Sequence, residues 1–384
     1  MPNVLHALDF YNRSNTGITF VVRSLIEQCQ RLDNRNAQYA LASVGDVDVT
    51  VPPGTVTETT EVTANRLLRP WRYSPQYAEA VQGLISRCNI SVVHVHGTWM
   101  YPQFAAVQKA KAQDIPVILT NHGHLEQWAL QYKPPFGALK KQAYLSVMDR
   151  PLFRKVDIFH AISMLNRDML HKLFPRARVE YIPNSIDLDA LDAISAGHVR
   201  SSNIDRYILF VGRMVPQKGV DLLIQAFGVA DVPPGTKLLL VGPVESENYA
   251  AYLQSLISVS PRKQQIEWRG PVWDEAEKVR LITDAWFVAV PSRSEGLALV
   301  NLEASACRTP TITTFDTGLF DWSDGGGVLV EPNVAALEQA LTDAMVWDDT
   351  ERAQRGEASR KLIADRYSTW ITGPRWMELY ASLS

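Results

Sequence analysis

Glu295 and Glu303 stand with seven residues between them in PSRSEGLALVNLEASAC, residues 291–307. The first follows a short apolar run, Trp286–Val290, and a Pro-Ser turn. The second lies among Leu299, Val300, Leu302, Ala304 and Ala306, a stretch that reads as a helix beginning near Leu299. A carboxylate in apolar surroundings is costly unless donors reach it, so Glu303 is expected to meet the hydroxyls of a ligand. The open amides and the dipole at the start of such a helix favour an anion. A lone helical Glu would be read as solvent-facing; here turn, spacing and apolar context together favour a functional pair.

The stretch FVGRMVPQKGVDLLIQAF, residues 210–227, puts Arg213 and Lys218 on the loop that follows the strand Tyr207–Val211. Ligands of open α/β sheets bind at the carboxyl ends of the strands. A planar guanidinium and a compact ammonium five residues apart suit a diphosphate there. Loop cations in general are solvated, and it is the position after a strand that favours function. His94 and His96 sit on one face of a strand end, but no third residue at metal-ligand spacing accompanies them. A structural role is expected for the two, and no metal. His122, in TNHGH, ends the buried run Val117–Thr120 and is expected to touch substrate.

The elements that must hold these residues alternate short apolar runs with helical patterns, the mark of parallel sheets with helices on both faces. Val4–Phe10 reads as a strand and residues 17–32 as a helix with Ile18, Val21, Val22, Leu25, Ile26, Cys29 and Leu32 at helical spacing. Ser91–Val95, Val117–Thr120, Asp157–Ile162 and Val179–Ile182 continue the first half. After the polar segment 195–205 the pattern begins anew with Tyr207–Val211, Val220–Ala230, Lys237–Val241 and Trp286–Val290. The expected architecture is α/β, two Rossmann-like doubly wound domains over residues 1–195 and 204–367. The aromatic segment 368–384 (Trp370, Trp376, Tyr380) is expected to be a terminal helix that docks on the body.

A chain of 384 residues is long enough for two such cores. The net charge of −3 gives no reason to expect nucleic acid as a partner. Three scattered cysteines, Cys29, Cys88 and Cys307, with no C-x-x-C pair, fit a reducing cytoplasm. The N-terminus reads as a strand rather than a signal peptide, and no run approaches a membrane span. Residues 133–155 combine Lys133, Lys140, Lys141, Arg150, Arg154 and Lys155 with Phe136, Leu139, Tyr144, Leu145 and Phe153. That mixture suits either a solvated helix face or peripheral contact with an anionic membrane. A dinucleotide oxidoreductase is excluded by the absence of G-x-G-x-x-G after a strand.

VGRMVPQKG followed by PSRSEGLALVNLEA resembles the retaining glycosyltransferases of family 4, with VHVHG, LTNHGHLEQWALQ and YIPNSID matching further stretches in the same order. The resemblance spans nearly the whole chain. It implies the GT-B fold, with an N-terminal acceptor domain and a C-terminal donor domain facing a cleft and the last helix crossing back to the N-terminal domain. Carried over by position, Glu303 would bind the ribose and Glu295 the donor sugar near the reacting centre. Leu299 and Val300 would offer amides to sugar and phosphates, and Gly296 belongs to the same turn. Arg213 and Lys218 would neutralise the diphosphate, Val272 would lie beside the base, and Gly17 would approach the donor. His122 would face the sugar, in a transfer usually described as front-face attack assisted by the donor phosphate.

The substrate so implied is a UDP- or GDP-sugar, the acceptor a saccharide or lipid-linked saccharide of cell-surface polysaccharide synthesis. No cofactor and no metal are implied; the setting is cytoplasmic, at the inner face of the membrane if residues 133–155 dock. The alternative is a non-catalytic sugar-nucleotide-binding partner subunit of the same fold. Three departures bear on the acceptor: Thr16 before Gly17 where the family often has a second glycine, Ser185 in place of glycine in PNSID, and His124 where an apolar residue is common.

Overall fold

The computed structural model of the chain describes residues 2–13, 16–33, 37–125, 150–195, 197, 198, 200 and 206–383. It divides into two compact units, Met1–Ser185 with Trp370–Ser384, and Ile186–Thr369.

Among the described residues the first unit holds one parallel sheet of seven strands: β1 Val4–Ala7, β2 Tyr39–Val44, β3 Val56–Thr60, β4 Val92–His96, β5 Val117–Thr120, β6 Ile158–Ala161 and β7 Val179–Tyr181. Their order is β3-β2-β1-β4-β5-β6-β7. Every residue of β1, β2, β4, β5 and β6 is buried, as expected where helices cover both faces of a parallel sheet. The chain winds outward from β1 to β3 and then returns to place β4 on the other side of β1. That reversal opens a crevice at the carboxyl ends of β1 and β4.

The second unit repeats the plan with β8 Tyr207–Val211, β9 Lys237–Val241, β10 Ile266–Arg269, β11 Phe287–Val290, β12 Thr311–Thr314 and β13 Val328–Val330. The order β10-β9-β8-β11-β12-β13 puts its reversal between β8 and β11. Those are the strands whose loops carry Arg213, Lys218 and Glu295. Two glycines let backbones approach there. A Cβ on Gly219 (φ +67°) would lie 2.0 Å from the Pro291 carbonyl oxygen, and one on Gly242 (φ +149°) 1.8 Å from that of Gly212.

The expected strands are present, several shorter by a residue or more, β1 stopping at Ala7 rather than Phe10 and β6 running Ile158–Ala161 rather than 157–162, while β4, Val92–His96, is shifted on by one residue. The first unit ends at Ser185 rather than 195. Helix Leu188–Ser195 packs against helix Glu275–Asp284 of the second unit, and Asp192 receives a 2.6 Å ion pair from Arg360. Ile186 is held to Tyr367 and Thr369 by backbone hydrogen bonds of 2.8 and 3.0 Å.

The terminal helix, Thr369–Ala381, groups with the first unit from Trp370 onward. Trp376 and Tyr380 are buried there against Val4, Leu8, Val22 and Ile26, whereas Trp370 is 62% exposed. Ser185, where the family more often has glycine, hydrogen-bonds Thr372 at 2.8 Å, and Thr372 reaches Gln28 at 2.9 Å. The serine thus ties the end of the first unit's sheet to this helix. Of the basic stretch 133–155, residues 133–149 and the side chain of Arg150 lie outside the described residues. Phe153 faces inward onto Phe159 and Phe174, so this aromatic belongs to the core and not to a lipid-facing surface.

Candidate functional site

In the second unit the loops after β8 and β11 are laced together. Arg293 makes two hydrogen bonds to the Asp221 carboxylate, at 2.8 and 2.7 Å, and one of 2.6 Å to the Pro216 carbonyl. Its amide donates to the Gln217 carbonyl at 2.8 Å, while the Gln217 side chain donates to the Ser294 carbonyl at 2.8 Å. Although burial pushes the Asp221 carboxyl up, the Arg293 hydrogen bonds outweigh it and hold it below the ordinary aspartate range. A bidentate Arg–carboxylate pair fixes geometry as well as charge, and here it sets the loop of Arg213 and Lys218 against the loop of Glu295.

Glu295 is nearly buried, and one carboxylate oxygen receives both the Lys218 ammonium and the Ser292 hydroxyl, the latter at 2.8 Å. The structure therefore brings together Lys218 and Glu295, residues from two loops at the β8–β11 reversal. Gly296 is buried beside them, and Leu299 and Val300 form the first turn of helix Leu299–Ala306, whose N-cap, Ala298, supplies no capping side chain. With no side-chain oxygen on those first amides, they suit an anionic ligand.

Glu303, one turn on, has a partner that its spacing alone did not reveal: Lys278 of helix Glu275–Asp284 sits 3.0 Å from its Oε1. Burial opposes the charge on Lys278, yet the Glu303 carboxylate outweighs it and raises the lysine above its ordinary range. Ligand hydroxyls are thus not needed to satisfy Glu303. The ion pair fixes one oxygen and leaves the carboxylate poised to accept with the other. Arg213 pairs with Glu245 at 2.6 Å on the surface, where both side chains are about half exposed; exposed pairs of this kind contribute little, so the guanidinium exchanges that partner readily. Val272 packs on the apolar cluster of Leu209, Val241 and Val290.

In the first unit, Gly17 is exposed in the first turn of helix Thr16–Leu32, with open space where a Cβ would stand. His122 follows β5 with φ +50°, next to Gly123 at +82°. A left-handed backbone is uncommon for residues other than glycine and is found where surrounding contacts impose it. Asn121 imposes it here: its side chain accepts from the Gly123 amide at 3.0 Å and from Asn166 at 3.1 Å.

Behind His122 lies a cluster of buried imidazoles. His6 of β1 stands in register with His94 of β4, so the parallel pairing supplies the third imidazole that the linear spacing of His94 and His96 did not. One nitrogen each from His6, His94 and His96 lie within 4.8 Å of one another, a donor set that suits zinc in composition. Both nitrogens of His94 and both of His96 nevertheless already meet protein partners.

Proton directions on His94 follow from a carbonyl. His160 Nε2 donates to Ile182 O at 2.7 Å, so its Nδ1 accepts from the Thr120 hydroxyl at 2.8 Å. Thr120 then accepts from His94 Nε2 at 2.7 Å, and His94 Nδ1 accepts from the Tyr380 hydroxyl at 2.8 Å. Burial pushes His6 down to about 3 and His160 to about 4, and holds His94, His96 and His122 well below the ordinary histidine value.

Comparison with known proteins matches residues 17–190 to the model described as Glycosyltransferase Family 4 and residues 198–362 to the model described as Glycosyl transferases group 1. Over 261 residues the chain is 26% identical to a D-inositol 3-phosphate glycosyltransferase of Mycolicibacterium smegmatis, a match covering 60% of this chain and 57% of that protein. It is 28% identical over 181 residues to the capsular polysaccharide biosynthesis glycosyltransferase CapM of Staphylococcus aureus, covering 46% and 45% of the two. The chain thus spans roughly half the length of these two relatives. Among solved structures, Anabaena HepE in complex with UDP and glucose superposes with a TM-score of 0.76 at 16% identity over all of both chains.

Proposed function

The chain belongs to the group 1 glycosyl transferases of GT-B fold, with a family 4 module in its N-terminal half, and on that premise we propose that it transfers a sugar, with retention, from a UDP- or GDP-sugar to a saccharide or lipid-linked saccharide. One observation carries the reading. Lys218 and Glu295 meet at the carboxyl edge of β8 and β11, beside an uncapped helix start, and Glu303 of that same helix is paired with Lys278 of the neighbouring one. Such an edge offers a cation and amides for a diphosphate and carboxylates for hydroxyls. No other common ligand needs that combination as plainly as a nucleotide sugar does.

In this reading Arg213 and Lys218 neutralise the departing diphosphate, since stabilising the charge that develops on a leaving group is the largest lever available. Glu303 accepts from the ribose, Glu295 from the sugar, and Val272 packs beside the base. Gly17 lets the first helix approach the donor, and His122 meets the sugar. The first unit takes the acceptor. The capsular relative supports a role in cell-surface polysaccharide synthesis. Among the described residues no helix is long and apolar enough to cross a membrane.

A thermal-shift panel of UDP-, GDP- and ADP-sugars tests the donor, because a ligand that binds only the folded state raises its melting temperature. Release of the matching diphosphate on adding acceptor tests the transfer, and the anomeric configuration of the product tests retention. A panel in which no nucleotide sugar shifts the transition sinks the donor site. Binding without release in any acceptor's presence would instead make the chain a sugar-nucleotide-binding partner subunit.

A further inference from the structure

Three imidazoles in the first unit form a chain that ends on His122. His122 Nε2 lies 3.1 Å from His96 Nδ1, and His96 Nε2 lies 3.0 Å from His6 Nδ1. The other end, His6 Nε2, is buried with no hydrogen-bond partner among the described residues. The ring centres of His6 and His96 lie 5.3 Å apart at an interplanar angle of 18°, those of His96 and His122 5.3 Å apart at 29°, so the rings stand end to end and nearly coplanar, as in-plane N–H···N hydrogen bonds require.

A neutral imidazole has one N–H and one lone pair. At about 3 Å each N···N contact needs one of each, because two lone pairs or two N–H groups facing one another repel. Only two arrangements of the whole chain satisfy both contacts. Protons directed toward His6 would leave its Nε2–H as a buried donor with no acceptor, the rarer kind of orphan in folded proteins. Protons directed toward His122 leave only a lone pair uncovered at His6. Neither His94 nor His160 disturbs the choice, since their nitrogens are committed to Tyr380, Thr120 and Ile182.

We infer that His6 and His96 are positioning residues that hold His122 as a neutral ring with its single proton on Nδ1, the nitrogen not engaged by His96. The consequence for chemistry rests on the proposed contact between His122 and the sugar; the tautomer itself does not. His122 then meets its ligand as a hydrogen-bond donor, suited to a hydroxyl or phosphate oxygen, and has no lone pair free to abstract a proton. His6 is a full ring chain away from the ligand and acts only through His96.

Nitrogen-15 NMR of the histidine-labelled full chain reads this directly. The expected signature in the parent protein is a pyrrole-type Nδ1 and a pyridine-type Nε2 for His6, His96 and His122, assigned with single His→Gln variants. The opposite tautomer on His122, or a stoichiometric transition metal in the purified protein, would overturn the inference; in the latter case His6, His94 and His96 are ligands rather than a relay. His6→Phe keeps a ring in place and removes the first donor. It should turn the His122 signal into a mixture of tautomers and lower the transfer rate about tenfold, the order expected for one lost hydrogen bond, with donor KM nearly unchanged. An unchanged His122 signal in that variant would also overturn the relay. A shifted signal with full turnover would leave the relay standing and sink the contact between His122 and the sugar. Should the variant fail to fold, the parent spectrum still decides.

Discussion

The Tyr380 hydroxyl stands 2.8 Å from Nδ1 of His94, a residue 286 positions earlier in the chain. It is one of the contacts by which the terminal helix becomes part of the first unit's interior, and it closes a run of hydrogen bonds through Thr120 and His160 to the Ile182 carbonyl. Because Ile182 O can only accept, every proton in the run has one direction, and Tyr380 must donate.

Tyr380→Phe tests that direction. The substitution keeps the ring against Trp376 and His94 but leaves a fully buried imidazole nitrogen without its donor. Leaving a buried acceptor unpaired costs about 1–3 kcal/mol. The first unit should lose that much stability in urea titration and the second unit should be unaffected. A transition unchanged within error would mean that the hydroxyl is not the donor.

The same cluster sets a pH dependence. His6, His94, His96, His122 and His160 all have values pushed below the ordinary 6.5 by burial. The folded unit therefore stays neutral at these positions while the unfolded chain takes up protons below pH 6.5. Stability is present in full above that pH and is lost as pH falls toward the folded values, about 3 for His6 and about 4 for His160. Each such proton adds about 1.4 kcal/mol per pH unit to the slope. Urea midpoints of the first unit from pH 8 to 5 should bend downward near 6.5, and His160→Gln should make the bend shallower by one proton. A flat profile through that range would contradict the burial of these rings.

Metal dependence is expected to be absent from the transfer. In the proposed reading Arg213 and Lys218 supply the positive charge at the donor edge. Of the two Asp-x-Asp pairs, Asp46 and Asp48 belong to the first unit, where Asp48 accepts the Arg13 amide at 2.7 Å, and Asp187 and Asp189 stand at the start of helix Leu188–Ser195, where Asp187 accepts the Ala190 amide at 3.1 Å, away from the loops after β8 and β11. Turnover should survive excess EDTA at its full rate. Loss that magnesium or manganese restores would move the neutralising charge from the side chains to an ion.

Local pattern made much of this legible, and pairing between distant elements hid the rest. β5, β8 and β9 are runs with at least three consecutive apolar residues and coincide with the expected strands to the residue. β3 and β12, VTETT and TITT, are polar or threonine-rich and carry no such signal. Glu295, Glu303, Arg213 and Lys218 stand out by sequence position. Lys278, the partner of Glu303, comes from a helix that looks solvated in isolation, and only the packing of two helices brings it there. His6 is one histidine in an N-terminal strand until β1 pairs with β4 in register. The domain boundary moved for a similar reason: helix Leu188–Ser195 continues the first half in sequence but finds its apolar partner in the second.

The two glutamates should separate in binding experiments, because they are held differently and would meet different parts of the donor. Glu303, paired with Lys278, would accept from the ribose, which donor and product share. Its loss should weaken free UDP or GDP as well as the nucleotide sugar. A hydrogen bond to a charged group contributes about 1.5–3 kcal/mol, so Glu303→Ala should cost about ten- to a hundredfold in diphosphate affinity. Glu295 shares its carboxylate with Lys218 and Ser292 and would reach only the sugar. Glu295→Ala should leave diphosphate affinity within a few-fold of the parent, since the lysine it frees remains available to the phosphates, while the transfer rate falls sharply and discrimination among donor sugars blurs. Lys278→Met adds a control: it should reproduce part of the Glu303→Ala loss without touching choice of sugar. Calorimetry with the plain diphosphate on all three variants decides the assignment. Equal weakening by Glu295→Ala and Glu303→Ala would show that both carboxylates serve the nucleotide and that the sugar is held by something else.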